Sequence, residues 1–440
     1  MEKLPGEEKY FAKFPKSRTL HEKAHDVFRD GVIRDIRLVK PFPIYMSYGK
    51  GSHIWDVDGN EYIDYIGGHT AFMLGHCHPV LVEAAKSQLE KGTDFSMSGS
   101  ELEIKWAKLI QSAVPSAELI EFTDSITDAC IYGIRLARAF TGRDKVIKLG
   151  DFWFGLNSAV AVGPNGPTTA GLTRGEIENT IVVPVNDAGA LEAALSKRDV
   201  ALVMVSPTAN NPPFLSFYQT IRDLTKKYGA LLLFDEVMSV FRFAPGGMQQ
   251  IVSVTPDLTM LGKAMGGGMA CDTAIVGRAD VMNMLAVDPR RQRVTHTGSW
   301  NAFLPTAAAG IAAIKILATG EPQKRADEMA SRLKQDIQQV LDTRGVDGHP
   351  YGFSSLVRVY LGKCPFEDKC DKVICYNPNY AWPEPLRTAM RLNLTLNGVH
   401  ISCLLNPYFE LSAVHTVKDI ERTVEAFDTS LLTALNVLGK

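Results

Sequence analysis

Leu231-Leu232-Leu233-Phe234-Asp235-Glu236-Val237 drives an apolar run into two adjacent acids, and Leu261-Gly262-Lys263-Ala264-Met265-Gly266-Gly267-Gly268 follows it with a lysine set among glycines. An unbroken apolar run of this length reads as a fully buried strand, Gly229 to Glu236, of the kind found in a parallel sheet covered on both faces. Lys145-Val146-Ile147-Lys148-Leu149 and Ala201-Leu202-Val203-Met204-Val205 repeat that pattern. Helical periodicities from Asp128 to Phe140 and from Phe217 to Tyr228 separate these strands. Strands alternating with helices predict an α/β fold with a mostly parallel sheet and place ligands beyond the carboxyl ends of its strands.

Outside this block the pattern changes. Residues 41–66 alternate apolar and polar positions on both sides of an Asp58-Gly59-Asn60 turn and predict a β meander. Helices are expected from His78 to Leu89, from Glu101 to Ile110 and from Pro305 to Ala318, the last leading into a charged helix near Glu321. Strands around Ser355 to Leu361 and a helix from Val417 to Leu438 close the chain. At 440 residues the chain exceeds one ordinary core and is expected to form two domains. The division expected is a segment 1–65 that joins the small domain, a large domain 66–320, and a small domain 321–440.

Lysines and arginines number 47 against 49 acids, mixed along the chain, so no broad positive surface exists for nucleic-acid phosphates. The seven cysteines are an odd number without paired metal-ligand spacing. Cys364, Cys370 and Cys375 read as surface cysteines, and no metal site is expected. The stretch Met1 to Lys9 has no apolar signal region, and no segment reaches the roughly 18 uncharged apolar residues of a membrane span. A cytoplasmic protein is the expectation.

Two acids at a buried strand end are costly unless a cation or several donors meet them. A protonated pyridine nitrogen is such a cation for Asp235, and a lysine in permissive backbone downstream, Lys263, is the amine that pyridoxal phosphate (PLP) requires. The cofactor's phosphate needs donors at a helix start. Thr123-Asp124-Ser125-Ile126-Thr127-Asp128-Ala129 supplies hydroxyls there, although they also make an ordinary helix cap. A second donor group, Thr295 to Asn301, precedes the helix near Pro305. In Asp151-Phe152-Trp153-Phe154-Gly155, Trp153 is assigned to the ring face, although each of the three aromatics also reads as a core residue.

These residues resemble the class III aminotransferases of fold type I, in the branch of glutamate-1-semialdehyde aminomutase and the D-phenylglycine and β-phenylalanine aminotransferases. The resemblance runs from about Gly31 to Leu438. It rests on Trp55-Asp56-Val57-Asp58-Gly59-Asn60, Leu74-Gly75-His76-Cys77-His78-Pro79, Ile134 to Arg143, Phe234-Asp235-Glu236-Val237 and Leu261-Gly262-Lys263 with its glycines. It implies a large domain with a mostly parallel seven-stranded sheet and a smaller α+β domain. By the same resemblance Lys263 forms the cofactor's Schiff base and moves the substrate proton, Asp235 binds the pyridine nitrogen, and Val237 packs on the ring. Ser125, Ile126 and Thr127 fall at the family's Ser-Gly-Thr phosphate cup. Ser299 falls where a threonine reaches the phosphate from the neighbouring subunit, which implies a homodimer with shared sites. The chain departs from the family pattern at Ile126, at Trp153-Phe154-Gly155 in place of Tyr-His-Gly, at Ser206-Pro207 in place of Glu-Pro, and at Ser299.

The implied reaction moves an amino group from an amino acid, D-α or β among the options, to a 2-oxo acid. Racemisation or aminomutation on the same fold is the second reading, and a catalytically silent homologue the third. A substrate carboxylate calls for a guanidinium. Arg34 matches the carboxylate-binding arginine of the β-phenylalanine enzymes and Arg37 that of the aminomutase; Arg34 is taken first. His69, in Gly67-Gly68-His69-Thr70-Ala71, is expected to line the pocket.

Overall fold

The computed structural model describes residues 5–208, 213–363 and 381–436. Cys364, Cys370 and Cys375 therefore lie outside the described residues. The chain forms two compact units, one of Met1–His69, Met73–His78 and Lys324–Lys440, the other of Thr70–Phe72 and Pro79–Gln323.

The second unit is built on seven strands: β1 (Leu119–Thr123), β2 (Lys145–Leu149), β3 (Thr180–Val183), β4 (Val200–Val205), β5 (Leu231–Asp235), β6 (Leu258–Leu261) and β7 (Thr273–Gly277). Their order across the sheet is β1-β7-β6-β5-β4-β2-β3. All run the same way except β7, which is antiparallel to both neighbours. Every residue of β4 and β5 is buried, which is why both read as continuous apolar runs. The sheet is thus mostly parallel, as the alternation of strands and helices implies.

Two of its helices start and stop on local chemistry. Ile126–Thr141 begins at Ser125, whose side chain accepts from the Asp128 amide, and ends at Gly142 in the left-handed region. Phe217–Tyr228 ends at Gly229 in the same conformation, which turns the chain directly into β5. Because β1, β5 and β6 are parallel, their carboxyl ends lie on one edge of the sheet. The reversed β7 begins at that edge, where Thr273 pairs with Thr123 of β1.

The first unit carries the meander, Met46–Lys50, His53–Asp56 and Glu61–Asp64, with Val399–His400 added parallel to its last strand. A second, three-stranded sheet consists of Gly348–Tyr351, Leu356–Leu361 and Tyr408–Glu410. The core joins Ile63 and Tyr65 to apolar faces of the helices Glu321–Arg344, Glu384–Leu396 and Val417–Leu435. Two short helices, Glu7–Lys13 and Pro15–Ala24, set Tyr10 and Phe14 against Phe42, Tyr62 and Leu392. No helix among the described residues is long and apolar enough to cross a membrane.

Candidate active site

Asp235 closes β5 at the shared edge and is buried. Its carboxylate accepts the Val237 amide at 3.2 Å and makes no ion pair within the described residues. Burial pushes its pKa up to about 7, against the lowering effects of the Val237 amide and the Lys263 charge. The adjacent Glu236 is fully buried but differently served. It accepts the amides of Met248 and Gln249 at 2.8 Å each, and the Ser239 hydroxyl. Glu236 thus anchors the start of the helix Met248–Val252, and of the two acids only Asp235 is left for a ligand cation.

Lys263 follows β6 by two residues and sits half-buried at φ 56°, a left-handed conformation that costs a non-glycine residue energy. Its Nζ donates to Thr70 Oγ1 at 3.4 Å. Thr70 is itself held by Arg242, whose Nη2 donates to the Thr70 carbonyl at 3.0 Å. Space around the lysine depends on glycine: a Cβ at Gly266 would collide with Asp272, and one at Gly268 with the Phe72 ring. Asp272, just before β7, accepts the backbone amide of Lys263, and burial pushes its carboxyl up to about 7. Sequence reading missed both Thr70 and Asp272. Their signals, a hydroxyl in a glycine-rich turn and one acid among many, acquire meaning only when folding brings them to the lysine.

Ser125 and Thr127 flank Ile126 at the start of their helix. The Ser125 hydroxyl donates to Asp128 Oδ2 at 2.7 Å, and Thr127 Oγ1 accepts the Leu156 amide at 3.0 Å. Ile126 packs partly buried against the core. Val237 is buried beside Gly262, whose added Cβ would come to 3.4 Å from it. Of the three aromatics at 152–154, Phe154 is core and meets Phe152 edge-on, whereas Trp153 is 59% exposed. The 295–301 segment is tied to β1 and its helix by Trp300 N to Asp124 Oδ1 and by Tyr132 with Thr297, each at 3.0 Å. Ser299 in that segment is exposed. The structure therefore gathers Asp235, Val237 and Lys263 at one sheet edge, with Ser125 to Thr127 following β1 at that same edge.

Arg34, Arg37 and His69 belong to the first unit, where they line a cavity of about 660 Å³. His69 has φ 56°. Burial lowers the Arg37 guanidinium's pKa, and the neighbouring Arg34 charge adds to the effect.

Residues 37–347 match the family model described as Aminotransferase class-III. The chain is 34% identical to a glutamate-1-semialdehyde 2,1-aminomutase from Sulfurihydrogenibium azorense, over 93% of this chain and 97% of that protein. It superimposes on an omega-transaminase from Sphaerobacter thermophilus with a TM-score of 0.85 at 32% identity, covering 95% of this chain and 98% of the other. A transaminase solved with PLP bound gives a TM-score of 0.84 at 28% identity, covering 96% and 99%.

Proposed function

This chain belongs to the class III aminotransferases, PLP-dependent enzymes of fold type I, and from that premise we propose that it transfers an amino group from an amino acid, D-α or β, to a 2-oxo acid, using Lys263 and Asp235. The observation that carries this reading is the pairing at one sheet edge of a buried carboxyl, without an ion pair among the described residues, with a lysine held in left-handed backbone.

The residues fit the cofactor. Asp235, which burial penalises when ionised, is the partner for a pyridinium nitrogen. Val237 and the exposed Trp153 are the apolar groups for the ring faces. The start of the helix Ile126–Thr141, with the Ser125 and Thr127 hydroxyls, is the donor set for a phosphate. When bound, the cofactor supplies an electrophilic carbonyl carbon and an electron-poor ring that draws charge from the substrate's Cα. Lys263 Nζ would hold the cofactor covalently, and its free amine would serve as the base for the substrate's Cα proton. Thr70 Oγ1 orients that amine. Arg34, with Arg37 as its neighbour and His69 in the same cavity, holds the substrate carboxylate. The same proposal makes the protein a cytoplasmic homodimer in which Ser299 reaches the partner's phosphate.

The aminomutase name of the relative at 34% identity favours a second reading, in which the amino group stays within one molecule. A donor screen with D-, L- and β-amino acids separates the two. Transfer predicts oxo-acid release that requires an added acceptor, while inversion or internal rearrangement without an acceptor overturns it. The Lys263→Ala protein is expected to lose the visible absorbance of the loaded enzyme and at least about a thousandfold of its activity.

A further inference from the structure

The cavity of the first unit holds more positive charge than one carboxylate needs. Besides Arg34 and Arg37, its wall includes Lys40, Arg387 and Arg391, and among the described lining residues the only acid is Glu384. Glu384 already lies 3.9 Å from Lys40. The acid nearest in sequence to Arg34, Asp35, is taken by Arg29 at 2.5 Å. Within the described residues none of the four guanidiniums makes an ion pair, and the Arg387 Nε is buried without a hydrogen-bond partner. Among the described residues Arg391 donates to uncharged groups, the Lys40 carbonyl and the Tyr10 hydroxyl.

Arg387 and Arg391 are four residues apart on the helix Glu384–Leu396, so they share one helix face. Both charges act on the thiol of Cys403, another wall residue, although burial is the larger influence there. The wall also carries apolar side chains, among them Ile36, Ile44, Ile66 and Ile401. Arg387 and Arg391 are part-buried against this wall, where a guanidinium without a counter-charge is costly unless an anion meets it, while the exposed Arg34 and Arg37 add to the positive field.

We infer that this cavity binds an acid with two anionic groups on an apolar stem, one taken by Arg34 and Arg37 and the second by Arg387 and Arg391. The inference rests on the reading of Arg34 and Arg37 as the carboxylate site, and it makes Arg387 and Arg391 determinants of substrate choice.

The test uses unreactive acids on the full-length holoenzyme, so that it does not depend on turnover. Calorimetry compares glutarate with pentanoate and adipate with hexanoate. At least one diacid is expected to bind about tenfold or more tighter than the monoacid of equal length, the size of one charge-assisted guanidinium contact. Arg387→Met is expected to bring that diacid down to its monoacid while leaving monoacid affinity within about twofold, which a general loss of structure would not do. A preference below about tenfold in the natural protein overturns the inference, as does a preference that survives both Arg387→Met and Arg391→Met. If neither variant folds, the natural protein's ratio alone decides. Failure of amino transfer in the donor screen would leave this binding result standing, so the two readings fail separately.

Discussion

At the scale of single residues, Asp235 and Asp272 share a property: burial holds both carboxyls up to about 7 beside Lys263. A carboxyl whose pKa is raised on folding favours the folded state below its unfolded value, near 4, and that contribution is lost as pH climbs through 7. The cofactor-free protein should therefore lose stability between about pH 4 and 7, on the order of a few kcal/mol for the pair. Cofactor-free Asp235→Asn should show a flatter profile and melt higher near pH 8, and differential scanning calorimetry across pH checks it. The same variant should bind PLP more weakly and transfer amino groups at least about a hundredfold more slowly, because an amide cannot hold the ring nitrogen's proton. Asp235 and Lys263 were readable in the sequence because their local settings, a buried strand end and a glycine tract, are contiguous. Asp272 and Thr70 were not, since neither carries a local pattern.

At the scale of elements, the strands that sequence reading found are β2, β4 and β5, buried at every residue except Lys145, with β6 as a strand or turn. β1, β3 and β7 escaped it. Leu119-Ile120-Glu121-Phe122-Thr123 interrupts its apolar run with an acid, Thr180–Val183 is short, and Thr273–Gly277 is mostly small residues. What makes each a strand is pairing with partners far along the chain, as Thr123 pairs with Thr273. The helix Ile126–Thr141 shows how one residue serves two readings. Ser125 is its cap and also stands in the proposed phosphate cup, so Ser125→Ala should lower unfolding free energy by about 1 kcal/mol and weaken PLP binding as well. Urea unfolding without cofactor, set beside PLP titration, separates the two effects. Glu236→Ala should be harsher, about 3 kcal/mol, because it strands the buried amides of Met248 and Gln249.

For the whole molecule, each unit draws on distant stretches of chain. Val399–His400 completes the meander sheet beside Glu61–Asp64, and Arg387 faces the same cavity as Arg34. A chain of 48.3 kDa should sediment at twice that mass if Ser299 serves a partner's site. Ser299→Ala should then reduce cofactor affinity without dissociating the dimer, read by sedimentation velocity and PLP titration. By itself the sequence determined the sheet's character and singled out Lys263 and Asp235 as the pair that points to the cofactor class, because buried apolar runs, strand-end acids and glycine tracts act over a few neighbouring residues. Only the tertiary structure decided what satisfies the neighbouring Glu236 and which arginines share a cavity. Those outcomes depend on burial and on which donors arrive from elsewhere in the chain, and a linear pattern carries neither.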